Sequence, residues 1–375
     1  EKIINIREES VVRIYGKVQK KPKGGYEILA EEVEVLNPAD PLPIEIWNTY
    51  IKTKFINRVQ YRFLDLRRQE IMAIFKIRSS IVNYFREFLV NNGFTEIHTP
   101  KIVGMGVESG ADVFEIKYYN KTAYLTQSPQ LYKQMLMASG LDRYFEISPY
   151  WRAEKSHTSR HLSEFWGLDI EIAWIKNHLD IIEIAENLIK YVIEKVKKEN
   201  KEDLDILGID IKIPKDIPKI TLLEAYKILE ANGKILDKYS DLDTESEKIL
   251  GDYFLKEYDE PIIFVVNYPW KERPFYHMRL EEDPEWTKSF DALYYGLEIL
   301  TGAQREHRYE VLIKQIEEKG LPIEPLKYYI EAFRYGMPPH GGFGLGIDRF
   351  VKQLLNVKDI REVVAWFRDP EHILP

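Results

Sequence analysis

Apolar residues recur through positions 67–92 on one helical face: Ile71, Ile74, Phe75, Ile77, Ile81, Phe85, Phe88 and Leu89 follow the period of about 3.6 residues of an α-helix, and Gly93 ends it. Positions 178–199 repeat the amphipathic pattern, and 315–319 and 325–334 also read as helical. Short strand-like segments lie at 123–126, 144–147 and 168–172, and 261–266 is an unbroken apolar run of the kind found in a buried strand. Near the start, 11–18 and 26–36 have strand composition on either side of Lys23-Gly24-Gly25, a turn signal, and Glu32-Val33-Glu34-Val35 alternates polar with apolar. The proline-rich run Asn37-Pro38-Ala39-Asp40-Pro41-Leu42-Pro43 reads as a linker, and no internal repeat is present.

Composition narrows the class. At 375 residues the chain can bury the core of one large domain plus a small one. No apolar run reaches the length of about 18 residues needed to cross a bilayer, and the start, at Glu1 rather than Met, does not resemble a secretory signal. The absence of cysteine excludes disulfides and thiolate metal sites, which favours a cytoplasmic protein. Charged residues make up 30% of the chain, rich in Lys and Glu, a composition common in thermophiles. A net charge of −8 argues against a global grip on nucleic acid, so such a ligand would meet local patches such as Lys17, Lys20, Lys21 and Lys23. The eight histidines lack metal-ligand spacing.

Two stretches carry candidate chemistry. One is Tyr150-Trp151-Arg152-Ala153-Glu154, continued by Arg160-His161-Leu162-Ser163-Glu164-Phe165; the other is Gly342-Phe343-Gly344-Leu345-Gly346-Ile347-Asp348-Arg349. Arginine binds phosphate through a planar fork and keeps its charge, so Arg152 and Arg349, both expected to be buried, suit a site where a carboxylate meets ATP. Taken singly, an Arg beside a Glu is usually a solvated pair, and the glycine run lacks both P-loop and dinucleotide spacing. The combination is what points to an ATP-using enzyme.

These segments resemble class II aminoacyl-tRNA synthetases of the aspartyl, asparaginyl and lysyl subgroup, from about residue 10 to the end. The helix ending in Gly93-Phe94-Thr95-Glu96-Ile97-His98-Thr99-Pro100 matches the first signature motif, the Arg152 to Phe165 stretch the second, and the Gly342 to Arg349 run the third. Gln127-Ser128-Pro129-Gln130-Leu131-Tyr132-Lys133-Gln134 and Thr301-Gly302-Ala303-Gln304-Arg305-Glu306-His307-Arg308 are similar to archaeal-type aspartyl enzymes. Asparaginyl members generally lack that lysine and carry Glu in place of Asp169. A β-carboxylate needs a second cation, whereas an amide facing a desolvated ammonium leaves a charge unpaired.

The resemblance implies an α+β fold: a class II catalytic domain at 67–375, with a mostly antiparallel sheet flanked by helices, a linker at 38–66, and part of an OB-fold anticodon-binding barrel at 1–37. Half a barrel would expose strand edges, so an upstream segment is expected to complete it, or the domain to be degenerate. For ATP it implies Arg152, Glu154, Arg160, His161, Leu162, Phe165, Glu298, Gly346, Ile347, Asp348 and Arg349, with Arg152 and Arg349 catalytic. For L-aspartate it implies Glu108, Gln130, Lys133, Arg152, Asp169, Thr301 and Arg305. Asp291 and Glu298 would bind Mg²⁺; their spacing of seven suggests opposite faces of a strand, joined through a neighbour or bulge.

The implied activity is aspartate–tRNA ligase, acting on tRNA-Asp and possibly tRNA-Asn, in a homodimer with the first motif at its interface. Alternatives are an asparaginyl-tRNA synthetase, a synthetase-like asparagine synthetase, and a non-catalytic RNA-binding relative. Two departures stand out: Val107 and Ser109 flank Glu108 in the closing loop, and Trp366-Phe367-Arg368-Asp369 replaces a usual Phe-Pro-Arg-Asp.

Overall fold

The computed structural model describes residues 6–22, 24–47, 53–104, 113–155 and 158–374. The chain divides into two compact units, Glu1–Ile71 and Met72–Pro375. In the first, β1 (Val11–Lys20) pairs antiparallel with β2 (Tyr26–Asn37), and Val18, Tyr26, Ile28 and Leu29 are exposed. Lys17 pairs with Glu31 at 3.3 Å, whereas Lys23 lies outside the described residues. The stretch 38–66, read as linker, holds helices α1 (Phe55–Gln60) and α2 (Arg62–Asp65). There the buried Asp65 carboxylate accepts from Arg58 at 2.9 and 3.0 Å and from Arg62 at 2.6 Å. Such paired burial folds a segment that composition alone marks as extended.

From α3 (Gln69–Asn91) onward the elements are β3 (Thr95–Glu96), β4 (Ile102–Val103), β5 (Glu115–Tyr118), β6 (Lys121–Leu125), α4 (Gln130–Met137), β7 (Arg143–Trp151), β8 (Glu164–Ala173), α5 (His178–Glu199), α6 (Lys201–Leu207), β9 (Lys219–Thr221), α7 (Leu222–Ala231) and α8 (Thr244–Tyr258). They continue as β10 (Ile262–Val266), β11 (Ser289–Tyr294), β12 (Leu297–Gln304), α9 (Tyr309–Glu318), α10 (Ile323–Phe333), β13 (His340–Gly346) and α11 (Ile347–Leu354). Eight strands form one sheet in the order β3-β7-β8-β13-β12-β11-β10-β9. Only the edge pairs β3/β7 and β10/β9 are parallel. The fold is α+β, with a largely antiparallel sheet flanked by helices.

Local chemistry explains the pieces. Asn177 and Asp180 form a reciprocal capping box that starts α5, whose buried stripe Ile181, Ala185, Leu188, Val192 and Val196 packs on β12 and β13. The apolar run of β10 is buried along its whole length, because α7 and α8 pack on it. Phe85 of α3 meets Phe350 of α11 edge-on at 5.3 Å.

Residues paired across the central strands form a transverse row: Glu146 of β7 faces Asp169 of β8, which faces Gly344 of β13, then Thr301 of β12 and Asp291 of β11. Side chains alternate along a strand, so Gly342, Gly344 and Gly346 share the face of Asp169, while Phe343 and Leu345 are buried on the other. The glycine run is thus a strand leading into α11, not a phosphate loop. A Cβ at Gly344 would lie 3.3 Å from Asp169 Oδ1, and one at Gly342 would run into Ile170 O and Glu171 Oε2.

Two predictions follow from this packing. Gly342→Ala should lower unfolding free energy by about 1–3 kcal/mol or more, measured by denaturant titration, because backbone blocks the added methyl. Buried His340 hydrogen-bonds through Nδ1 to Pro338 O at 2.8 Å and through Nε2 to Gln134 at 3.1 Å. Burial, only partly opposed by Glu171, pushes its pKa down to about 4. The unfolded chain therefore binds the extra proton first, and stability present above the ordinary histidine pKa should be lost as pH falls from about 6.5 toward 4. His340→Gln should flatten the pH dependence of the unfolding midpoint across that window.

Candidate active site

One cavity joins the predicted residues. At one end it is lined by Gln130, Lys133, Asp169, Thr301 and Arg305; at the other by Arg152, Glu154, Arg160, His161, Leu162, Phe165, Glu298, Gly346, Asp348 and Arg349.

The first end is a buried charge cluster. The Lys133 ammonium, on α4, lies 3.0 Å from Asp169 Oδ1 and 3.4 Å from Glu171 Oε2, with its side chain 1% exposed. Arg305 Nε donates to Glu171 Oε1 at 3.0 Å, and its Nη2 donates to Gly342 O at 3.1 Å. Burial works to raise the Glu171 pKa, but Arg305 and then Lys133 outweigh it and hold the carboxyl below its ordinary range. Gln130 Nε2 donates to Gln134 Oε1 at 2.8 Å, which fixes the amide's orientation. Glu171 was not singled out from the sequence, although the alternation Leu168-Asp169-Ile170-Glu171-Ile172 puts it two residues beyond Asp169 on the same strand face. His277 also lines this cavity; it is 2% exposed, and burial, with Arg305, pushes its pKa well down, so the ring is neutral.

The second end is more open. Arg152, expected to be buried, keeps 46% of its side chain exposed, at the cavity mouth just past the end of β7; Arg349 is 20% exposed. The Arg152 guanidinium lies 5.4 Å from the centre of the Phe165 ring and 3.7 Å from Glu154. That leaves a cation and an aromatic face toward one space, a combination that suits a purine and its phosphate. Arg349 Nη1 donates to Glu298 O at 3.1 Å and Oε1 at 3.3 Å. His161 Nδ1 pairs with Thr158 Oγ1, and burial together with Arg349 lowers its pKa.

Two members of the third motif hold structure. Ile347 is fully buried and does not line the cavity. The Asp348 carboxylate accepts from Arg78 at 2.5 Å and from the Trp166 backbone N–H at 2.9 Å, which ties α11 to α3 and β8.

Asp291 and Glu298 lie on two strands, not on opposite faces of one. They flank the β11–β12 hairpin, where a bulge at Ile299 offsets the register (Ala292 opposite Leu300, Leu293 opposite Glu298) and brings Glu298 onto the face of Thr301 and Asp291. Glu298 reaches the cavity; Asp291 sits behind it, its Oδ2 accepting from Arg273 at 2.6 Å while its Oδ1 is buried with no partner. Burial raises the Asp291 pKa to about 7 despite Arg273, and Glu298 adds to the shift. Among the described residues no three His, Cys, Asp or Glu converge as a metal cage. Two carboxylates, one with an oxygen lacking a partner, nevertheless make an all-oxygen, partly filled donor set that suits a divalent ion shared with phosphates.

Glu108, Val107 and Ser109 lie outside the described residues. The Trp366-Phe367-Arg368-Asp369 run follows the second motif, with Ser163 N–H donating to Arg368 O at 2.9 Å and Phe367 buried. No helix among the described residues is long and apolar enough to cross a membrane.

Comparison with known proteins agrees with this geometry. Residues 56–370 match the family described as tRNA synthetases class II (D, K and N). The aspartate–tRNA(Asp) ligase of Thermococcus kodakarensis is 45% identical, over 100% of this chain and 86% of the relative. The aspartate–tRNA(Asp/Asn) ligase of Aeropyrum pernix is 44% identical, over 99% and 85%. The crystal structure of asparaginyl-tRNA synthetase from Pyrococcus horikoshii complexed with asparaginyl-adenylate superposes with a TM-score of 0.93 at 32% identity, over 100% of this chain and 86% of that one. With its motifs, sheet and cavity in register, the chain belongs to the class II tRNA synthetases (D, K and N).

Proposed function

We propose that the protein is an aspartate–tRNA ligase. In the first step an aspartate α-carboxylate oxygen attacks the α-phosphorus of ATP; the new P–O bond gives aspartyl-adenylate as the bond to pyrophosphate breaks. In the second, a hydroxyl of the terminal tRNA adenosine takes the aspartyl group and AMP leaves. No side chain needs to form a covalent intermediate. Arg152 would offset the charge of the two anions brought together, and Phe165 and Glu154 would hold the adenine. Arg349 would meet the other face of the base near the phosphate tail, together with His161. Asp169 would receive the α-ammonium, and Gln130, Thr301 and Glu108 would complete the amino-acid pocket.

Asp291 and Glu298 would hold Mg²⁺. When bound, that ion would neutralise phosphate charge. Arg273 donates to Asp291 at 2.6 Å and so fixes one of its carboxylate oxygens.

The single observation that carries the choice of aspartate is the pair of buried cations, Lys133 and Arg305, at the closed end of the cavity. With Asp169 taken up by the α-ammonium, a side-chain carboxylate entering there would restore an anionic partner to Lys133, now held by Asp169 and Glu171, which an amide would not. The names of the 45%-identical relatives agree with that choice. Asparaginyl ligation is the second reading, favoured by the likeness to the asparaginyl-adenylate complex. The range of tRNA charged, Asp alone or Asp and Asn, divides the relatives themselves. The proposal includes a cytoplasmic homodimer built through the first motif, and a catalytic domain at 67–375 preceded by a linker and part of an anticodon-binding barrel.

ATP–pyrophosphate exchange tests it. L-aspartate should support exchange and L-asparagine should not; exchange with asparagine alone would replace the first reading by the second. Arg152→Ala should lower aspartate-dependent kcat/KM by about 100-fold or more, an effect of about 3 kcal/mol. Lys133→Met should reduce the preference for aspartate over asparagine by about 100-fold, read as the ratio of the two kcat/KM values. An unchanged ratio would remove Lys133 from substrate choice.

A further inference from the structure

Glu247, on α8, lies outside the cavity lining and outside every motif described above. Its side chain is 7% exposed, and its Oε2 accepts from Arg160 Nη2 at 2.8 Å. Thr244 Oγ1, one turn earlier on α8, accepts from Arg160 Nη1 at 2.7 Å. Both terminal nitrogens of Arg160 are therefore held by one helix, while its Nε–H is buried and has no partner. The Arg160 carbonyl in turn lies 3.4 Å from Arg349 Nε, and the neighbouring Ser159 carbonyl accepts from Ile360 N–H at 3.0 Å.

The same helix also fixes the hairpin that bears Glu298. A Cβ on Gly296, in the β11–β12 turn, would lie 2.7 Å from Lys248 Cα and 2.9 Å from Glu247 O, and a Cβ on Gly251 would run into Gly296 N. The helix and the turn touch backbone to backbone. One rigid element thus holds the arginine at the phosphate end and the turn two residues before Glu298. Without Glu247 the Arg160 guanidinium would swing among rotamers, and ordering it would fall to the ligand.

We propose that Glu247 is a positioning residue for ATP binding: with Thr244 it holds the Arg160 guanidinium in place at the phosphate end of the cavity. The proposal rests on the reading of this cavity as an ATP site. Its test is a double-mutant cycle on the full chain, with Mg·ATP affinity from calorimetry and KM values from exchange. Glu247→Gln, which keeps the shape, and Thr244→Val, at the exposed end, should each weaken ATP about three- to tenfold and leave the aspartate KM within twofold. Arg160→Ala should weaken ATP about tenfold, and adding Glu247→Gln to it should change nothing more. Thermal midpoints within a few degrees of wild type would separate this from partial unfolding.

Multiplicative losses in the double variant, or equal shifts in the ATP and aspartate KM, would overturn the proposal. Wild-type protein that binds Mg·ATP but shows no aspartate exchange would remove the substrate assignment and leave the ATP titrations to decide the role of Glu247. Wild type that binds no Mg·ATP would overturn both.

Discussion

A carboxylate sealed from water must be met by cations, and Glu171 imposes that demand on this fold. It is fully buried in β8, and it is satisfied only because α4 brings Lys133 and Arg305 follows directly on β12. Removing both cations would leave a buried, unpaired charge at a cost of about 3–5 kcal/mol, which ties the helix and the strands to one ion network. β13, between β8 and β12, has Gly342 where any side chain would collide with Glu171, and the same glycine offers its carbonyl to Arg305. The pocket's charge and the sheet's packing are one arrangement.

From that cluster the site extends along the pleat. Alternate residues of β8, β13 and β12 face one side, and glycines at 342, 344 and 346 lower the floor beneath Asp169 and Thr301. A bulge in β12 then turns Glu298 onto the same side. The amino-acid end is dry and charge-balanced, which favours selection. The nucleotide end is open, with Arg152 half exposed, which favours entry of a large anion. Asp348 lends its carboxylate to Arg78 and Trp166 and so keeps Arg349, the next residue, at the cavity wall.

Much of this was legible in residue order. The stripe from Ile71 to Leu89, the apolar run of β10 and the amphipathic pattern of α5 are local signals, and local signals survive folding. The motifs singled out Arg152, Phe165, Lys133, Arg305, Glu298 and Arg349, all of which line one cavity. Less legible were the burial of Arg58, Arg62 and Asp65, which pair with one another inside a stretch expected to be a linker, and two features set by partners distant in the chain: the structural use of Asp348 and the role of Glu171, which looks from its neighbours like one more alternating polar residue.

The sequence by itself determined the periodicities, the motif chemistry and the family, because each depends on residue types at short and fixed spacing. Only the tertiary structure decided which charges face each other. Lys133 meets Glu171 across 38 positions of sequence, Arg305 meets it across 134, and Arg160 finds Glu247 at a separation of 87. Electrostatic energy depends on distance in space and on exclusion of water, and neither is written in the order of the residues. The bulge that aligns Glu298 with Asp291 is of the same kind, since register belongs to a pair of strands and not to either one.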